Sequence, residues 1–215
     1  MLVQGFYFLF FGGLTSVVLI VEMTVAMAPR AFSTVLCGAS VVAMLAGAWR
    51  LRRVRSLGAE WIQSVRCLLI ATALLVYLFP FLWAWRQLPR NFYFCCHGLG
   101  FLAMLILAMM AMCVASAALA RALGRKELMW QMVASLVTAV VVQLAPFAFL
   151  ARVLAAGALH GEDTVMWLQV AVAQLHPFWI TLWLLPFTLS LSLVWTAKDI
   201  ALELLVADNV TQSCE

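Results

Sequence analysis

The chain has 215 residues, 67% of them hydrophobic and 10% charged, whereas roughly one quarter of a soluble domain is charged. So little polar sequence excludes a soluble catalytic domain, a dinucleotide-binding unit and a nucleic-acid module, and confines the protein's work to a bilayer and its two surfaces. The formal net charge of +4 encodes orientation in such a chain before it encodes an anionic partner.

The first apolar run, Gly5 to Ala28, ends in Ala26-Met27-Ala28, which has the spacing of a signal-peptide cleavage site. No Lys or Arg precedes it and Pro29 would follow the cut, so it reads as a retained span. The second span is Phe32 to Trp49. Its Ala39, Ala43 and Gly47 stand at four-residue intervals, which predicts a small-residue face and a tight hairpin with the first span. Arg50, Arg52, Arg53 and Arg55 follow, then Glu60, Trp61 and Arg66 around the start of a third span, Val65 to Trp85. The fourth span opens after Pro89 and Arg90 and runs from Phe92 to Ala120 without a Lys, Arg, Asp or Glu. Arg121, Arg125, Lys126 and Glu127 separate it from a fifth, Met129 to Leu154, and the loop around His160 leads to a sixth, Val165 to Trp195. Ile200, Ala201, Leu204 and Leu205 recur at helical spacing while Lys198, Asp199 and Glu203 can face water, which predicts a short amphipathic helix at the C-terminal end.

The expected fold is therefore an all-α polytopic membrane protein: six transmembrane helices in three hairpins across residues 1–196, and a cytoplasmic tail at 197–215. Nine of the 13 Lys and Arg fall after spans two, four and six, which puts both termini in the cytoplasm. Trp49, Trp61, Trp130 and Trp195 then mark the inner interface and Trp83, Trp85 and Trp167 the outer one. An echo at sixty residues matches Pro29, Arg30, Phe32 and Gly38 with Pro89, Arg90, Phe92 and Gly98. It suggests that residues 5–60 and 65–120 are a parallel repeat of hairpins, with 129–196 as a third.

Five polar residues inside the spans form the candidate intramembrane site: Glu22, His97, Gln143, Gln174 and His176. Glu22 and His97 lie about two turns, ~8 Å, below the outer helix ends, and the other three are expected nearer the midplane. A carboxylate at the centre of a spanning helix costs roughly 3 kcal/mol, so Glu22 must be neutral, paired or facing water, with His97, Arg30 and Arg90 as partners by depth. His176 precedes Pro177, which reads as a mid-helix kink that frees the carbonyl of Ala173 and leaves Gln169, His176 and Trp183 on one face. Pro80, Pro146 and Pro186 break other helices in the same way. Among the cysteines, Cys95 and Cys96 adjoin His97, but three consecutive helical residues cannot converge on one metal, and no metal site is expected. No nucleophile elbow, zinc-protease motif or phosphate loop is present, so enzymatic readings lack a scaffold.

The composition points first to a non-catalytic subunit of a larger membrane complex, in contact with lipid and with other membrane subunits or copies of itself, in a bacterial cytoplasmic membrane. A small transporter or channel component using the intramembrane polar residues is the alternative. No cofactor is expected; a haem held between His97 and His176 would require the two rings at matched depth on facing helices.

Overall fold

The computed structural model describes residues 1–25, 31–124, 127–174 and 176–212. Ala26 to Arg30, Arg125 and Lys126, all used above, lie outside the described residues. All secondary structure among the described residues is helical: α1 (Leu2–Val25), α2 (Ala31–Arg52), α3 (Ala59–Gln87), α4 (Phe92–Ala122), α5 (Glu127–Thr138), α6 (Ala145–Leu159), α7 (Thr164–Gln174) and α8 (Pro177–Gln212). A π-helical segment, Ala139–Leu144, joins α5 to α6. Five segments are long and apolar enough to cross a membrane, Leu2–Leu19, Phe32–Arg52, Ala59–Gln87, Phe92–Ala122 and Met129–Leu159, as in a multi-pass membrane protein.

The axis of the bundle is α4. In its apolar window 67% of residues are buried, against 44% for the next helix, because α3, α5, α6 and α8 all pack on it. Small residues on its second half, Ala115, Ser116, Ala117, Ala118 and Ala120, let these neighbours approach from every side. Asn91 starts the helix cleanly, its Oδ1 accepting from the Tyr93 amide at 3.0 Å.

The α1–α2 hairpin is closed by glycines. A Cβ on Gly12 would lie 2.7 Å from the carbonyl oxygen of Ser40, and one on Gly47 would lie 2.8 Å from that of Gly5. The expected stripe of Ala39, Ala43 and Gly47 is only part of this face, since Ala39 is exposed. A strict four-residue stripe advances about 40° around the helix at each step and drifts off the contact. The seam that α2 presents is Ser33, Cys37, Ser40, Met44 and Gly47, at mixed spacings of three and four.

At the charged end of the bundle each of the first two hairpins is closed by a polar pair of its own. Arg50 Nη1 donates to Gln4 Oε1 at 2.6 Å, and Arg121 pairs with Glu60 at 2.8 Å. Trp61 and Trp85, read above as interfacial rings, are both buried; Trp61 donates to the carbonyl of Val54 at 2.8 Å. The sixty-residue echo does not carry into equivalent packing. Gly38 faces Phe79 of the following hairpin, whereas Gly98 faces Trp85 of its own.

The largest departure from expectation is the last apolar run. In place of one helix from Val165 to Trp195, the chain forms α7, breaks, and begins α8 at Pro177. Packing sets the level of α8: Leu191 meets Gly13, midway along α1, and Ser190 meets Cys113 of α4. Pro177 is 14 residues earlier, about 21 Å along the axis, so α8 alone runs the length of the bundle. Thr164 meanwhile accepts and donates at the α3–α4 turn, which confines α7 to that end. The separate tail helix is also absent. With no Gly or Pro after Pro186, α8 continues through Trp195 to Gln212, and Lys198, expected to face water, is buried.

Candidate functional site

Glu22 comes from the far end of α1 and is half-buried. Its Oε1 accepts a hydrogen bond at 3.1 Å from the hydroxyl of Ser33, itself buried at the start of α2. The partner is thus a hydroxyl across the hairpin. Arg30 lies outside the described residues, and Arg90 lines a separate hollow with Gln87, Leu88, Pro89 and Asn91.

His97 stands at the α3–α4 contact. Its Nδ1 is 2.9 Å from the Tyr93 carbonyl, one turn back, so Nδ1 carries the hydrogen. The ring lies 4.2 Å from Tyr93 and 4.6 Å from Phe81, centroid to centroid. The adjacent Cys95 turns the other way and is buried against α6, with Sγ 4.0 Å from the carbonyl of Leu154.

Gln143 is the deepest of the five, 1% exposed in the π-helical segment. The wider i→i+5 turn gives the chain slack just before Pro146, which has no N–H to donate. Gln143 Nε2 donates at 3.3 Å to the carbonyl of Trp183 on α8. The carbonyl that Pro186 leaves without its amide donor is that of Leu182, so Gln143 bonds the residue next to the interrupted pairing. A side-chain amide from one irregular helix therefore serves the backbone of another.

His176 corrects the mid-helix reading. It occupies the N-cap of α8, with Pro177 at the first helical position, and its Nδ1 accepts from the Phe178 amide at 3.2 Å. Its carbonyl accepts from Trp179 N at 2.9 Å. The same His-Pro pair that predicts a kink thus starts a new helix, so Gln169 and Trp183 do not share a continuous helical face with His176. Gln174, exposed, ends α7.

These five residues serve four separate junctions and the end of α7; they do not share a contact. His97 and His176 are each engaged through Nδ1 by the backbone of their own surroundings. No three His, Cys, Asp or Glu side chains among the described residues form a group able to hold a metal ion.

Two polar clusters went unread in the sequence. At one end Thr164, fully buried, receives Trp85 Nε1 at 2.8 Å and donates to the Pro89 carbonyl at 2.6 Å, pinning the α6–α7 loop to the α3–α4 turn. Toward the charged end Lys198 pairs with Asp199 at 2.6 Å and lies 3.5 Å from the Trp195 ring and 5.2 Å from that of Tyr7. The Trp195 and Lys198 spacing of three was a legible cation–π signal; the Thr164 contacts span 75 and 79 residues and had none. No family model, curated protein or solved structure gives a significant match to this chain.

Proposed function

We propose that the protein is an integral subunit of a larger membrane complex with a structural or assembly role, crossing the membrane six times with both termini in the cytoplasm. In this reading α8 supplies the sixth crossing and α7 lies at the outer end. One observation carries the proposal: Glu22, His97, Gln143 and His176 are used locally, at a hairpin, within a helix, at an irregular turn and at a helix start, instead of converging on a shared cavity. Side chains spent in this way hold helices in register. Exposed aromatic and aliphatic side chains on α2, α3, α6 and α8 leave lipid- or partner-facing surface on several sides.

Gentle extraction from the native membrane, followed by mass measurement under non-denaturing conditions and an absorbance spectrum, tests it. A subunit co-purifies with partner chains well above its own 23.8 kDa. Recovery of the lone chain, stable and lipid-bound, would overturn the proposal. The π turn at Gln143 and the α7–α8 break favour transport as the second reading, because discontinuous helices border many solute paths. That reading requires solute or proton flux in liposomes that Gln143→Leu abolishes.

A further inference from the structure

A cavity of about 160 Å³ opens where the C-terminal half of α6 meets the start of α7. Val153, Leu154 and Ala156 form an apolar wall, and Trp167 of α7 lines the cavity as well. His160 and Glu162, from the connecting loop, supply its polar groups. At ~30 Å³ per water the space equals about five waters, or one compact group of similar heavy-atom count.

The chemistry of the lining selects the charge. His160 Nδ1 donates to the Ala156 carbonyl at 2.7 Å, which leaves Nε2 as an acceptor. The Thr164 hydroxyl is spent on Trp85 and Pro89. Asp163 is spent as well, its Oδ1 accepting from the Met166 amide at 2.9 Å. The Glu162 amide donates to the Gly157 carbonyl at 3.0 Å, while its carboxylate engages no hydrogen-bond or ion-pair partner among the described residues. Its Oε2 folds back over Gly157, 3.4 Å from where a Cβ would stand, an ordinary contact distance that sets the carboxylate at the cavity wall. No Lys or Arg lines the space. A carboxylate, an acceptor nitrogen, an indole and an aliphatic wall suit a cation with an apolar skin; two donor side chains are too few for a metal ion.

We propose that this cavity binds a small organic ammonium group, with Glu162 as its counter-ion and Trp167 as its aromatic wall. The group can arrive as a free amine or as the headgroup of a zwitterionic lipid, since the cavity lies at the end of the bundle. Two arms of one experiment separate the sources. In the first, choline is titrated by equilibrium dialysis against the full chain in detergent. In the second, the chain is released from nanodiscs of mixed phosphatidylcholine, phosphatidylethanolamine and phosphatidylglycerol, and retained lipid is weighed by native mass spectrometry.

Saturable choline binding identifies a free amine, and selective retention of the two zwitterionic lipids identifies a headgroup; either supports the proposal. Glu162→Gln and Trp167→Leu, with helicity checked by circular dichroism, should each weaken the positive arm at least tenfold. Gly157→Leu, which fills the space from α6, should do the same without touching the charge. The proposal is overturned if neither arm is positive, or if binding in the folded variants equals that of the parent chain.

Discussion

The α1–α4 half and the α5–α8 half solve the same packing problem by different means. In the first, glycines allow close approach: Gly12 lies against the Ser40 backbone, Gly47 against that of Gly5, and Gly98 against the Trp85 ring. The helices there are continuous, and Pro80 is absorbed within α3. In the second, the chain departs from α-geometry twice, at the π turn, where Gln143 reaches across to a backbone carbonyl of α8, and at the α7–α8 break, where His176 caps its own helix. Glycine contact holds the first half by shape. The second half is held at a few hydrogen-bonded points, so single substitutions there should be milder and more local.

The most damaging test of that contrast is Gly12→Val. Its Cβ would enter the Ser40 carbonyl, which cannot swing aside as a side chain could, so the α1–α2 hairpin should lose about 3 kcal/mol. Denaturant unfolding in mixed micelles measures it, and a loss under about 1 kcal/mol would mean the hairpin is not held by close approach. Next comes His176→Ala, which removes an N-cap and should cost about 1 kcal/mol. Hydrogen exchange at the Phe178 amide should quicken, and His176→Asn should restore protection. Gln143→Leu should also cost about 1 kcal/mol, because the side-chain bond to the Trp183 carbonyl is lost while volume is nearly kept. Cysteine cross-linking between the π turn and α8 would register the loosening; unchanged cross-linking would remove this bond from the account.

The smallest effect is expected at Glu22→Gln. The amide oxygen can still accept from Ser33, so thermal stability should change by no more than about 0.5 kcal/mol. A large loss would show that the carboxylate holds more than a hydroxyl. It would also weaken the contrast, since one charge would then matter as much as the glycines.

Much of the first half was legible because its signals are local. Apolar length marks a span, and Asn91 before an aromatic run marks a start. The stripe through Ala39 failed because a four-residue count ignores the 3.6-residue turn, and the correct face needs both spacings. Glu22 was legible as a polar group requiring a partner. That the partner is Ser33 follows from hairpin register, which composition does not encode. His176-Pro177 shows the sharper limit. A His-Pro pair is compatible with a kinked helix and with a capped start, and the choice depends on where Leu191 docks against α1 and α4. Lys198 was assigned to water because charge usually seeks it, whereas Trp195 and Tyr7 offer an alternative shell.

For a chain being threaded into a bilayer, the apolar stretch from Val165 to Trp195 offers more residues than the roughly 20 that one crossing needs. Such a stretch can slide, since neighbouring windows differ little in transfer free energy. Pro177, with its cap already in place at His176, acts as a detent on that sliding. It fixes the first residue of α8, and with it which side chains of that helix come level with Gly13 and Cys113. Removing the proline would free the segment to settle one or more turns away, carrying Lys198 out of the aromatic shell of Trp195 and Tyr7.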